Sequence, residues 1–105
     1  MGKINIDLPK EKIAEFCRKW KVKEFALFGS VLQEDFGPSS DIDVLVTFEP
    51  DARHTLFDHV DMQEELKIIF KRNVDLVSRR GIEQSRNYIR RKAILDSAEA
   101  IYVAA

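Results

Sequence analysis

Eleven residues after a Gly29-Ser30 pair, the sequence sets two aspartates one residue apart, Asp41-Ile42-Asp43, at the head of a strand-like run to Phe48. A second apolar run, Val22 to Phe28, precedes the glycine. Ile42, Val44, Val46 and Phe48 alternate with Asp41, Asp43, Leu45 and Thr47. Strand side chains point alternately to opposite faces, so one face is apolar and the other begins with two carboxylates. This layout restricts the chain more than any other feature. Two strands must meet a polar turn and a D-x-D pair at one end of a sheet.

The surrounding segments supply helices. Ile13, Phe16, Cys17 and Trp20 fall at helical spacing, which predicts a helix from about Pro9 to Trp20. Pro9 is tolerated in a first turn, where its missing N–H had no partner. Ser30 suits an N-cap, so a short helix toward Asp35 is expected, followed by a loop over Phe36-Gly37-Pro38-Ser39-Ser40. Thr55 and Asp58 read as a capping box opening a helix to about Arg72, with Met62, Leu66, Ile69 and Phe70 on its inner face. Val74 to Val77, the VDLV run, is a third strand. Gly81 is expected to separate it from a last helix over Ile82–Ser97, and Ala100–Val103 to add an edge strand.

Alternating helices and strands predict an α/β (α+β) fold, a small mixed β-sheet flanked by helices. The link between the first two strands is too short for a usual parallel crossover, so these two are expected to be antiparallel. A chain of 105 residues suits one domain, 1–105, and not two. Cys17 is the lone cysteine, so no intrachain disulfide can form, which fits a reducing cytoplasm; its place in an apolar stripe predicts a buried thiol. No apolar run is long enough to span a membrane.

Charge is unevenly distributed. Lys71 to Lys92 holds eight cationic side chains against Asp75 and Glu83, while the first seventy residues hold nine cationic and fourteen acidic ones. The basic third could meet phosphates or an acidic partner, or be a solvated helix face. Arg86 and Arg90 are i, i+4 on the expected last helix and would share a face. No nucleic-acid motif or stacking pattern accompanies them, so direct nucleic-acid binding is not expected. His54 and His59 lack the partners of a zinc site and read as surface or helix-packing residues; Tyr88 and Tyr102 read as packing residues before acceptors.

The acids carry the chemistry. Carboxylates at i and i+2 on a strand stand about 6.5–7 Å apart and repel unless a cation lies between them. Mg²⁺ binds through one or two carboxylates plus substrate phosphates. Asp75 lies mid-strand in an apolar run, where an unpaired acid is costly. If its strand lies beside the D-x-D strand, three carboxylates converge, the layout that holds two ions about 3.5–4 Å apart for phosphoryl or nucleotidyl transfer. A glycine turn opening a helix adds backbone N–H groups for phosphate.

With Gly29-Ser30, Asp41-Ile42-Asp43 and Asp75 in VDLV, the sequence resembles the minimal nucleotidyltransferases (MNT) of the DNA polymerase β superfamily, over nearly its whole length. Similar proteins are the antitoxin halves of HEPN–MNT toxin–antitoxin pairs. The resemblance implies transfer of AMP from ATP, with Mg²⁺ (two ions), to a tyrosine of a HEPN ribonuclease toxin, in an oligomeric complex with that toxin in the cytoplasm. It implies that Asp41 and Asp43 bind both metals and the triphosphate. Asp75 would bind the metal nearer the acceptor and help remove its proton. Gly29 and Ser30 would bind phosphates. Many relatives continue Gly-Ser with an Arg-Gly run, where this chain has Gln33-Glu34. That departure motivates the alternative of a non-catalytic module that neutralises the toxin by complex formation. Transfer to a small molecule is a further alternative.

Overall fold

The computed structural model describes residues 8–29 and 41–104. In chain order they form α1 (Lys10–Trp20), β1 (Val22–Phe28), β2 (Ile42–Phe48), α2 (Leu56–Phe70), β3 (Val74–Ser78), α3 (Arg79–Glu83), α4 (Tyr88–Ser97) and β4 (Glu99–Val103). The four strands make one mixed sheet in the order β3-β2-β1-β4. β1 runs antiparallel to both β2 and β4, and β2 and β3 are parallel. The antiparallel expectation for β1 and β2 holds, and so does the expected edge strand.

Both faces of the sheet are covered. Strand alternation sends Val22, Phe25, Leu27, Ile42, Val44, Val46, Val74 and Leu76 into one core with Ile13, Phe16 and Cys17 of α1 and Met62 and Leu66 of α2. Phe25 is fully buried there, edge-on to Phe16 at 6.0 Å and stacked on Phe70 at 6.4 Å. The opposite face carries a smaller core: Ala26, Phe28 and Leu45 under Ile82 of α3 and Ile94 of α4. Cys17 is buried as expected, and burial pushes its thiol up to about 12. The native chain is therefore expected to resist iodoacetamide, and to react once denatured.

The long parallel connection through α2 is held at both ends. Thr55 and Asp58 form the predicted capping box, the Thr55 N–H donating to Asp58 Oδ2 at 2.9 Å and the Asp58 N–H to Thr55 Oγ1 at 3.2 Å. Thr55→Ala should cost about 1 kcal/mol, lowering Tm by about 4–8 °C in a thermal melt. At the other end Glu65 joins α2 to α1, accepting from Lys19 Nζ at 2.9 Å and Trp20 Nε1 at 3.3 Å. β3 forms one edge of the sheet, and Gln63 Oε1 on α2 accepts its Leu76 N–H at 3.2 Å. His54 packs as a structural residue: its Nε2 lies 2.7 Å from the Trp20 carbonyl and its ring lies against Trp20 and Phe48.

The last helix differs from the sequence reading. Ile82–Ser97 is not continuous; α3 ends at Glu83 and α4 begins at Tyr88. Each has its own cap. Ser78 Oγ accepts the Gly81 N–H at 3.0 Å, and Asn87 Oδ1 accepts the Arg90 N–H at 3.0 Å. Gly81 thus lies inside α3 and separates nothing. Arg86 falls in the break, so it does not share a helix face with Arg90. Arg91 Nη1 closes the break by donating to the carbonyls of Glu83 and Ser85.

Candidate active site

The parallel register of β2 and β3 sets Asp43 opposite Asp75. Neighbouring strands lie about 4.8 Å apart, so the two carboxylates start from adjacent backbone positions. Both point to the face that carries Leu45 and Val77, because each precedes one of these by two residues. Asp43 is half-buried; Asp75 and Asp41 are exposed. The apolar setting expected for Asp75 is therefore absent. β3 is an edge strand, and the small core above this face is built on Ala26, Phe28, Leu45, Ile82 and Ile94, beyond the acids.

The third strand involved is β1, whose last residue, Phe28, pairs with Asp43. Gly29 follows with φ +77, the left-handed region that favours glycine. A Cβ built there would collide with Asp43 Oδ2 and come within 3.3 Å of its Cγ. Gly29 is thus where backbone and carboxylate share one narrow space. Ser30 and the insert through Ser40, with Gln33 and Glu34, lie outside the described residues.

The electrostatics are those of a crowded acid centre. Burial raises the Asp43 carboxyl above its ordinary range, the charges of Asp75 and Asp41 raise it further, and Arg90 on α4 pulls it back. Among the described residues no three His, Cys, Asp or Glu side chains form a ready-made metal cage. The donor set still fits a hard divalent cation. Asp43 and Asp75 are two oxygen donors side by side, and mutual repulsion is what a cation between them would relieve. Mg²⁺ characteristically takes its remaining ligands from water and substrate phosphate.

A cavity of 690 Å³ opens elsewhere, at the C-terminal ends of β2 and β3, between Phe48, His54, Leu56 and Arg79. Asp43 and Asp75 sit at the opposite ends of those strands, so that cavity is not the acid centre. Gly29's contact with Asp43 and the approach of Arg90 escape a reading by spacing alone. The first depends on strand register and the second on where the broken helix resumes.

Comparison with known proteins identifies the family and the fold. The nucleotidyltransferase domain family matches residues 10–100, and the chain belongs to that family. It is 34% identical over 64 residues to a Methanocaldococcus jannaschii protein named "putative protein adenylyltransferase", a match spanning 61% of this chain and 64% of that relative. The chain thus matches just under two thirds of that relative's length. Among solved structures, one described as a "putative minimal nucleotidyltransferase" is 29% identical, with a TM-score of 0.66, over 90% of this chain and 96% of that one. A toxin–antitoxin structure with AMP-PNP superposes with a TM-score of 0.70 at 22% identity, over 92% and 75% of the two chains. The complex of tri-AMPylated Shewanella oneidensis HEPN toxin with MNT antitoxin does so with 0.62 at 21%, over 90% and 70%. At 21–22% identity the last two establish a shared fold. The expected family and the mixed, helix-flanked sheet are both borne out.

Proposed function

We propose that this chain is a protein adenylyltransferase and the antitoxin of a HEPN–MNT pair, moving AMP from ATP to a tyrosine hydroxyl of its HEPN ribonuclease partner. The observation that carries the reading is the β2–β3 register, which sets Asp43 beside Asp75 next to the Gly29 turn. The adenylyltransferase relative and the toxin–antitoxin neighbours support it.

In this reading Asp41, Asp43 and Asp75 would hold Mg²⁺, and Asp75 also faces the acceptor. Bound Mg²⁺ would supply Lewis-acid stabilisation of charge on the transferring phosphoryl group. The tyrosine oxygen attacks the α-phosphorus, the α–β bridging bond breaks, and pyrophosphate leaves. Asp75 takes the hydroxyl proton. Gly29 offers its backbone to the phosphates, and Ser30 is assigned the same task from its place in the sequence. Mass spectrometry of the product of the neighbouring gene, after incubation with the chain, ATP and Mg²⁺, should identify a HEPN protein carrying AMP on tyrosine. An unmodified partner would count against the reading.

A second reading, neutralisation by binding alone, is favoured by the outer face of α2. Leu56, Phe57, Val60 and Ile68 are 54–81% exposed there, opposite Met62 and Leu66. These four side chains, standing around the Glu64–Lys67 pair, leave a mixed surface on that side of the helix for a partner to cover. An Asp41→Asn, Asp43→Asn variant separates the two. It leaves the toxin active if transfer silences it, and silences it still if binding suffices.

A further inference from the structure

In the basic segment from Lys71 to Lys92, the side chains of Arg79, Arg91 and Lys92 are committed to contacts. Arg79 pairs with Glu83 at 3.3 Å and with Glu24 at 3.7 Å, and Lys92 pairs with Asp96 at 3.0 Å. Arg91 is bound to backbone carbonyls and lies over the Tyr88 ring. Arg90 is exposed and, like Lys71, Arg80 and Arg86, forms no salt bridge among the described residues; its place on α4 sets it apart.

Its position follows from the packing of α4. Ile94 anchors that helix in the small core with Phe28 and Leu45. Arg90, four residues earlier, lies on the same side of the helix, one turn toward its N-terminus. Phe28 is the register partner of Asp43, and Leu45 is two residues beyond Asp43 on the same face. Arg90 thus lies one helical turn from a residue packed on the neighbours of Asp43, and its charge is felt at Asp43. The insert offers no cation of its own: residues 30–40 contain neither Lys nor Arg. A polyphosphate over this face would meet one uncommitted guanidinium among the described residues of α4.

We propose that Arg90 positions the nucleotide, its guanidinium taking non-bridging oxygens of the phosphate chain of ATP bound over Asp43 and Asp75. This rests on the adenylyltransferase reading. Arg suits the role through its planar fork of donors, which matches phosphate geometry in a way that a lysine ammonium does not. Before ATP arrives, the same charge partly offsets the crowding of acids at Asp43; afterwards it adds to the charge that holds the phosphates.

The test is equilibrium binding of ATP with Mg²⁺ to the full chain by titration calorimetry, for wild type, Arg90→Ala, Arg90→Lys and, as control, Arg80→Ala on α3. Arg90→Ala should bind about 10- to 100-fold more weakly, from the strength of charge-assisted hydrogen bonds. Arg90→Lys should fall between it and wild type, and Arg80→Ala should match wild type. In transfer assays the Arg90→Ala defect should raise KM for ATP more than it lowers kcat, and rising salt should narrow the affinity gap. Arg90→Ala binding ATP as wild type does, or Arg80→Ala losing as much as Arg90→Ala, would overturn the assignment. A wild-type chain that binds no ATP would overturn the nucleotidyltransferase reading itself, a result distinct from either.

Discussion

Asp43→Asn should melt at a higher temperature than the unaltered chain in metal-free buffer at neutral pH, and should lose most of its transfer activity. The folded chain holds the Asp43 proton more tightly than an unfolded chain would, because of burial first and the Asp75 and Asp41 charges next. A carboxyl with a raised folded pKa destabilises the fold once it ionises. The penalty is absent below the unfolded aspartate value of about 3.9, grows as pH rises toward the raised folded value, and is complete above it. Asparagine keeps the shape and removes the charge. The gain in Tm should therefore be a few degrees at pH 7 and vanish in acid. Activity should move the other way. A carboxylate that holds a charge-stabilising ion contributes several kcal/mol to the transition state, so the loss should be on the order of 10²–10³-fold. Asp75→Asn should show a milder form of the same trade, because it removes one charge pressing on Asp43. Thermal melts from pH 3 to 8, on the order of the aspartate range and above it, check the sign; a lower Tm for Asp43→Asn at neutral pH would mean the acids are not in mutual repulsion.

Gly29→Ala should damage fold and site together. The left-handed backbone costs a residue with a Cβ about 1–2 kcal/mol, and here that Cβ would also run into Asp43 Oδ2. Asp43 must swing away or the β1 end must shift, and either change spoils the Asp43–Asp75 arrangement. A stability loss of about 1–3 kcal/mol is expected, with transfer reduced by at least the factor seen for Asp43→Asn. Gly81→Ala is the contrast. Its Cβ would meet only Ser78 Oγ at 3.0 Å, and it lies in α3 without a positive φ. Alanine is favoured over glycine in a helix by about 1 kcal/mol, which offsets the crowding of a small hydroxyl. Denaturant titrations of the two variants should differ clearly; equal effects would show that the Gly29 turn is not held against Asp43.

The features readable from the chain were those governed by nearest neighbours. The capping box at Thr55 and Asp58 depends on three residues of spacing, and it formed as expected. The alternation from Ile42 to Phe48 depends only on the pleat, and it placed Asp43 on the face with Leu45. Convergence of Asp43 and Asp75 requires that β3 lie beside β2, and the sheet order meets that condition.

What was missed is set by competition or by long-range register. The run from Ile82 to Ser97 has enough helix formers to look continuous, but Asn87 caps a new helix by accepting from Arg90, and the chain breaks there. That break removes Arg86 from the helix and leaves Arg90 one turn before Ile94. The exposure of Asp75 follows from β3 being an edge strand, which no local pattern reveals. The collision between a Gly29 side chain and Asp43 arises because Phe28 pairs with Asp43 across the insert. The outer apolar face of α2 was in the sequence, at Leu56, Phe57, Val60 and Ile68, but one helical stripe was enough to explain the core.

The measurement closest to the central claim compares two labels. The chain, Mg²⁺ and the proposed HEPN partner are incubated with ATP labelled at the α- or the γ-phosphate, using wild type and an Asp43→Asn, Asp75→Asn variant. The acid centre described here predicts that the partner takes up α-label and no γ-label, that chelation of the metal stops uptake, and that the double variant is inactive while still folded. Uptake of γ-label, or α-labelling undiminished in the double variant, would contradict it.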